Sequence, residues 1–102
     1  MIIPSEIKVW LRTFKVEFAE AEGFNSKVRK GDYLRGEVDW DQKVIRILST
    51  LSQDEREEVL MHEIGHIVDD MAGSKLSEAQ ITSTMQILYF ILKENRLLNE
   101  NP

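Results

Sequence analysis

In the run Leu60-Met61-His62-Glu63-Ile64-Gly65-His66 two histidines stand four residues apart, with a glutamate directly after the first. They are the only two histidines in the chain. On an α-helix, residues i and i+4 lie one above the other, so His62 and His66 can aim at one ion. Neutral imidazole is a good ligand for zinc. Glu63 is then placed to take a proton from a water that the metal has made more acidic, which is the H-E-x-x-H arrangement. The chemistry implied is metal-assisted hydrolysis of peptide bonds.

The competing reading is a solvated helix face. On a helical wheel centred on Ile64, the residues Leu60, Met61, Ile67, Val68 and Met71 fall within about 60° of centre, whereas the two histidines fall roughly 160° away and about 40° from each other. The histidines therefore share the polar side with Glu58, Asp69 and Asp70 and are not spare core residues. Gly65 costs a helix roughly 1 kcal/mol relative to alanine, which points to a close approach by a neighbouring segment.

Two histidines do not complete a catalytic zinc site, which normally takes three protein ligands and leaves one position for water. Asp69 and Asp70 lie roughly 10 to 12 Å along the helix axis from His62, too far to share its ion on a straight helix. A chain reversal at Gly73-Ser74 would return the next helix to the metal, and its first acidic residue is Glu78. Glu78 is the expected third ligand, with Asp69 or Asp70 orienting a histidine.

The elements that must position these groups can be read from pattern. Ile7 to Val9 and Phe14 to Phe18 read as strands, with Phe14, Val16 and Phe18 alternating against Lys15 and Glu17. Glu20 to Lys30 reads as a loop or a short irregular helix. Arg35 to Trp40 and Lys43 to Leu48 read as a hairpin closed at Asp41-Gln42. Ser52 with Glu55 forms a capping box that starts the histidine helix, and Gly73 can close it. Ser77 with Gln80 starts another helix, running to about Asn95, whose stretch Ile87 to Leu92 is apolar all round. Such a stretch is sandwiched inside the domain or covered by a partner. The expected class is α+β: an antiparallel sheet of three or four strands, buried on one face and packed on the histidine helix, plus a C-terminal helix.

With 102 residues, residues 1–102 are expected to form a single domain. Hydrophobic content of 42% and charged content of 30% are those of a soluble globular protein, and no apolar run is long enough to cross a bilayer. The start Met1-Ile2-Ile3-Pro4-Ser5-Glu6 lacks the features of a signal peptide, and the lack of cysteine fits a cytosolic setting. A net charge of −5 argues against binding nucleic acid, and the basic residues Lys27, Arg29, Lys30 and Arg35 around Gly31-Asp32 read as a solvated loop.

Gly36-Glu37-Val38-Asp39-Trp40, Ile45-Arg46-Ile47, Leu60 to His66, and Leu88 to Asn95 together resemble the small phage and prophage proteins grouped with the ImmA/IrrE-type metallopeptidases. The resemblance implies a minimal zincin-like fold whose C-terminal helix carries a glutamate, a bacterial or phage cytosolic setting, and a peptide or protein substrate such as a repressor. Relatives often have another acidic residue about one helical turn after the Glu78 position, where this chain has Thr82.

Two functions follow as expectations. In the first, His62, His66 and Glu78 hold Zn2+ and Glu63 is general base and then proton donor in peptide hydrolysis, with Tyr33, Tyr89 or the metal alone steadying the oxyanion. In the second, the metal only braces a regulatory or protein-interaction module of phage or prophage origin, whose Ile87 to Leu92 face binds a partner or a second copy.

Overall fold

A computed structural model of the chain describes residues 1–25 and 35–98. Strand β1 spans Glu6–Val9 and β2 spans Arg12–Ala19; they pair antiparallel with Ile7 opposite Phe14 and Val9 opposite Arg12. Trp10 takes a left-handed conformation, φ 57°, to reverse the chain between them. A single 3-10 turn, Ala21–Gly23, follows. The basic cluster at Lys27, Arg29 and Lys30 and the Gly31-Asp32 turn lie outside the described residues.

Strand β3 (Gly36–Asp39) and strand β4 (Val44–Leu48) form the second hairpin. Their pairing ends at Asp39 opposite Val44, so the loop runs from Trp40 to Lys43, wider than the Asp41-Gln42 loop that alternation suggests. The Asp39 side chain explains the difference: its Oδ1 accepts the Gln42 N–H at 3.0 Å, and Lys43 adopts φ 58° to rejoin the ladder. Trp40 thus leaves the strand and stands edge-on to Phe14, ring centres 5.9 Å apart.

The sheet has four strands in the order β1-β2-β4-β3. It is mixed, where an antiparallel sheet was expected: β2 and β4 run parallel, with Val16 beside Ile45 and Phe18 beside Ile47. The second hairpin enters with its second strand inward. β4 rather than β3 therefore lies directly against β2, and because β4 runs opposite to β3 it runs the same way as β2. As an inner strand β4 is buried along its whole length and on both faces, so the expectation of one buried face fails there.

On the side away from the core, Arg46 of β4 lies between two carboxylates of β3. Its Nη1 donates to Glu37 Oε2 at 2.9 Å and to Asp39 Oδ2 at 3.0 Å, and all three residues are buried. Asn25 covers the pair, donating its backbone N–H to Glu37 at 2.9 Å and its amide to Asp39 at 2.6 Å.

Helix α1 (Gln53–Ala72) starts at the expected capping box and ends at Gly73, φ 68°. Its residues Val59, Leu60 and Ile67 close the core over Phe14, Val16, Ile45 and Ile47. Val68 departs from the wheel: it is half exposed, on the rim of a groove shared with Leu76 and Ile81. Helix α2 (Glu78–Glu94) begins at the Ser77 capping box and runs back along α1, which is its packing partner in place of the sheet. Tyr89 of α2 is buried and donates its hydroxyl to Glu57 Oε1 at 2.9 Å, while Lys93 reaches Asp54 at 2.8 Å. No described helix is long and apolar enough to cross a membrane.

Removing one partner of a buried ion pair leaves uncompensated charge, whereas an exposed pair contributes little. Arg46→Ala should therefore lower the urea midpoint clearly more than Arg12→Ala, which removes only the exposed 3.4 Å contact with Asp70. Equal midpoints would show that the buried triad does not hold β3 to β4.

Candidate metal centre

Helix geometry brings the imidazoles of His62 and His66 together as their spacing requires, with the two Nε2 atoms 3.1 Å apart. The reversal from Gly73 to Ser77 delivers the first residue of α2 to the same place. Glu78 Oε1 is 2.7 Å from His62 Nε2, and Glu78 Oε2 is 2.9 Å from His66 Nε2. Burial is the first cause that lowers the His62 pKa; His66 and Arg35 add to it and Glu78 opposes it. The imidazole is thereby kept neutral, with a lone pair to offer.

The fit to a metal can be judged from the donors themselves. Ligands at 2.0 to 2.1 Å in a tetrahedron stand roughly 3.3 Å from one another. The histidine nitrogens are already near that separation, and the carboxylate oxygens are slightly closer. Two nitrogens and a carboxylate that all point at one spot form a donor set chemically suited to a divalent ion, and among the described residues this is the one such cluster.

Glu63 sits beside this cluster in a different environment. It is only 6% exposed, and among the described residues no hydrogen bond reaches its carboxylate. Burial first, then the charges of Glu78 and Glu37, push its pKa up to about 8. A carboxyl group near neutrality can both accept and return a proton at physiological pH.

Two close approaches set this environment. A Cβ on Gly36 would lie 2.4 Å from Val59 Cγ1 and 3.3 Å from Glu63 Oε1, so the bare backbone of β3 presses on α1 there. A Cβ on Gly65 would lie 2.5 Å from Met85 Cγ and 3.2 Å from Ile81 Cγ2, so the approach expected at Gly65 is made by side chains of α2. Between β3 and α2 a cleft of about 710 Å³ opens over His62, Glu63, His66 and Glu78.

Several side chains on the walls of this cleft are given no part in the centre by motif reading. Arg35 and Trp40 line it from just before and just after β3, and Thr82, Met85 and Gln86 line it from α2. Their only sequence signal is periodic: Thr82, Met85 and Gln86 repeat the helical face of Glu78. Other expectations need correction. Asp70 faces Arg12, and Asp69 Oδ1 accepts from Ser74 Oγ at 2.5 Å and from Leu76 N at 2.9 Å, so neither aspartate orients a histidine. Tyr89 is committed to Glu57 and Lys93 and does not line the cleft, which removes it as an oxyanion donor. Tyr33 lies outside the described residues.

A family model described as the IrrE N-terminal-like domain, Peptidase_M78, matches residues 13–94, a span that includes all four centre residues. Comparison with curated proteins and with solved structures gave no match.

The raised pKa of Glu63 has a consequence for metal-free protein. Folded Glu63 keeps its proton up to about pH 8, whereas the unfolded chain releases it near 4.5, so the folded state binds more protons in between and stability falls as pH rises through that window. Glu63→Gln removes this dependence and should gain on wild type steadily across the window, read by urea unfolding in chelator. Parallel stability curves would show that Glu63 is not desolvated.

Proposed function

The chain belongs to the IrrE N-terminal-like domain family, Peptidase_M78, and from that premise we propose that it is a zinc-dependent peptidase acting through His62, His66, Glu78 and Glu63. The observation that carries the reading is the convergence of two imidazole nitrogens and a carboxylate beside a buried glutamate that no described residue hydrogen-bonds, at the floor of one cleft.

In this reading His62 and His66 from α1 and Glu78 from α2 hold zinc. When bound, zinc supplies Lewis acidity toward a water and a peptide carbonyl. The chain's own residues then manage protons and position. Glu63, the residue after the first histidine, accepts a proton on a carboxylate oxygen as water attacks the carbonyl carbon and the new C–O bond forms. It returns that proton to the amide nitrogen as the C–N bond breaks, so the same group is base and then acid. Burial excludes water from Glu63 and keeps its affinity for the proton high. The cleft has walls on both sides, β3 with Gly36 and Val38 and α2 with Thr82 and Gln86, between which an extended peptide would lie. We take a peptide or protein, a repressor among them, as substrate and a cytosolic bacterial or phage setting.

A second reading, of a metal-braced interaction module, draws on a different observation. Ile87, Leu88, Phe90 and Ile91 each expose more than a third of their surface on the outer side of α2. A contiguous apolar face of this kind is what a partner covers.

Zinc analysis and peptide hydrolysis test the first reading together. Wild type should carry zinc and His62→Ala should not; Glu63→Gln should keep zinc and lose about 10²- to 10⁴-fold in hydrolysis, the usual contribution of a general base. Equal zinc in wild type and His62→Ala rejects the centre, and full activity in Glu63→Gln rejects the role of Glu63. For the second reading, sedimentation should show wild type associating with rising concentration and Ile91→Glu staying monomeric. A wild type that remains monomeric throughout rejects the homodimer.

A further inference from the structure

We infer that Asp69 is a positioning residue for the metal centre, whose carboxylate latches the α1–α2 turn in the form that brings Glu78 onto His62 and His66. The inference rests on the reading that these three residues hold a metal.

The turn is not a relaxed one. It contains two left-handed residues, Gly73 at φ 68° and Lys75 at φ 58°. Glycine accepts that conformation freely, but a lysine does so only at a steric cost and persists there where its surroundings enforce it. Asp69 supplies the enforcement from both sides of Lys75. Its Oδ1 accepts from Ser74 Oγ at 2.5 Å and from Leu76 N at 2.9 Å, and its backbone carbonyl accepts from Ser74 N at 3.2 Å.

The connections on either side of the latch are stiff. Upstream, Asp69 lies on the same helix as His66, one turn further along. Downstream, Leu76 is followed by the Ser77 capping box, in which Ser77 and Gln80 bond reciprocally and fix the first turn of α2. Glu78 is the first residue of that turn. From His66 through Asp69 to Leu76 and on to Glu78, a run of side-chain and backbone hydrogen bonds determines where the carboxylate arrives. The same bonds, Ser74 first and then Leu76, hold the Asp69 pKa below its ordinary value, so the latch is ionised at neutral pH.

Asp70 offers an internal control. It carries the same charge on the next residue, but its carboxylate faces Arg12 and makes no bond to the turn, to which Asp70 gives only its backbone carbonyl. If charge near the centre were what mattered, the two aspartates would be equivalent. If the turn matters, they differ.

The test is zinc affinity by competition with a chromophoric chelator, with circular dichroism to confirm that each variant is folded. Asp69→Ala should weaken zinc about 10- to 100-fold, the range seen when a group that orients a ligand is removed. Asp69→Asn keeps an oxygen acceptor and should recover most of that loss, Ser74→Ala should lose less than Asp69→Ala, and Asp70→Ala should bind as wild type does. In a Glu78→Ala background, Asp69→Ala should add nothing further, because a residue that acts through Glu78 has nothing left to position. Additive losses, or an Asp69→Asn variant as weak as Asp69→Ala, would overturn the latch in favour of a direct charge effect. Unchanged zinc affinity in Asp69→Ala, with wild type binding normally, would overturn the latch alone. Failure of wild type to bind zinc would overturn the metal reading and the latch with it.

Discussion

Helix α1 is pressed from two sides, and two positions without side chains set how near its neighbours stand. At Gly36 the backbone of β3 comes against Val59 and Glu63; at Gly65 the side chains of Met85 and Ile81 come against α1 itself. Together these contacts fix the width of the cleft and the dryness of its floor. A methyl group at Gly36 would push β3 away from the Glu63 carboxylate, and the desolvation that holds the carboxyl near neutrality would weaken. The chemistry of the centre thus depends on packing at places that carry no chemistry.

The sequence discloses the parts of this arrangement that are local. Capping boxes at Ser52 and Ser77, the closing glycine at Gly73, and the i, i+4 histidines all rest on bonds within a few residues, and all appear where pattern puts them. Glu78 was legible for a similar reason: once the helix ends at Gly73, a short reversal leaves few acidic residues able to return. The parallel pairing of β2 with β4 was not legible, because alternation reports which residues share a face and is silent on which strand of a hairpin turns inward. Nor was the full burial of β4, which follows from its inner place in the sheet. Val68 and Asp69 were misread because a helical wheel assumes one partner face. α1 has two, and its last turn answers to the loop that follows it.

Polar groups do much of the fastening in this small fold. Behind the sheet, Arg46 joins Glu37 and Asp39 across the β3–β4 hairpin, which secures the strand that walls the cleft. At the far end of the helix pair, Glu57 is almost wholly buried and takes the Tyr89 hydroxyl, while Lys93 spans Tyr89 and Asp54. Such groups are costly to bury unless satisfied, and here each finds a specific partner. They give α2 a unique register on α1 that apolar packing alone would specify less sharply, because the outer face of the same helix is apolar as well.

That register links the two readings of function. α2 depends on α1 for its packing, and the contacts between them are gathered at Glu57 with Tyr89 near one end, Gly65 with Met85 and Ile81 in the middle, and the histidines with Glu78 near the other. An ion held by residues of both helices would be a third fastening, at the end nearest the turn that joins them. Because a folded state that binds an ion is stabilised by that binding, occupancy of the centre and docking of α2 would be one equilibrium. A hydrolytic enzyme needs the ion for its charge, and an interaction module needs it for its grip. Both begin from the same carboxylate, returned by one turn to the same two histidines, and they diverge only at Glu63: bracing gains nothing from a buried carboxylate that no described residue hydrogen-bonds, whereas proton transfer requires a carboxylate there.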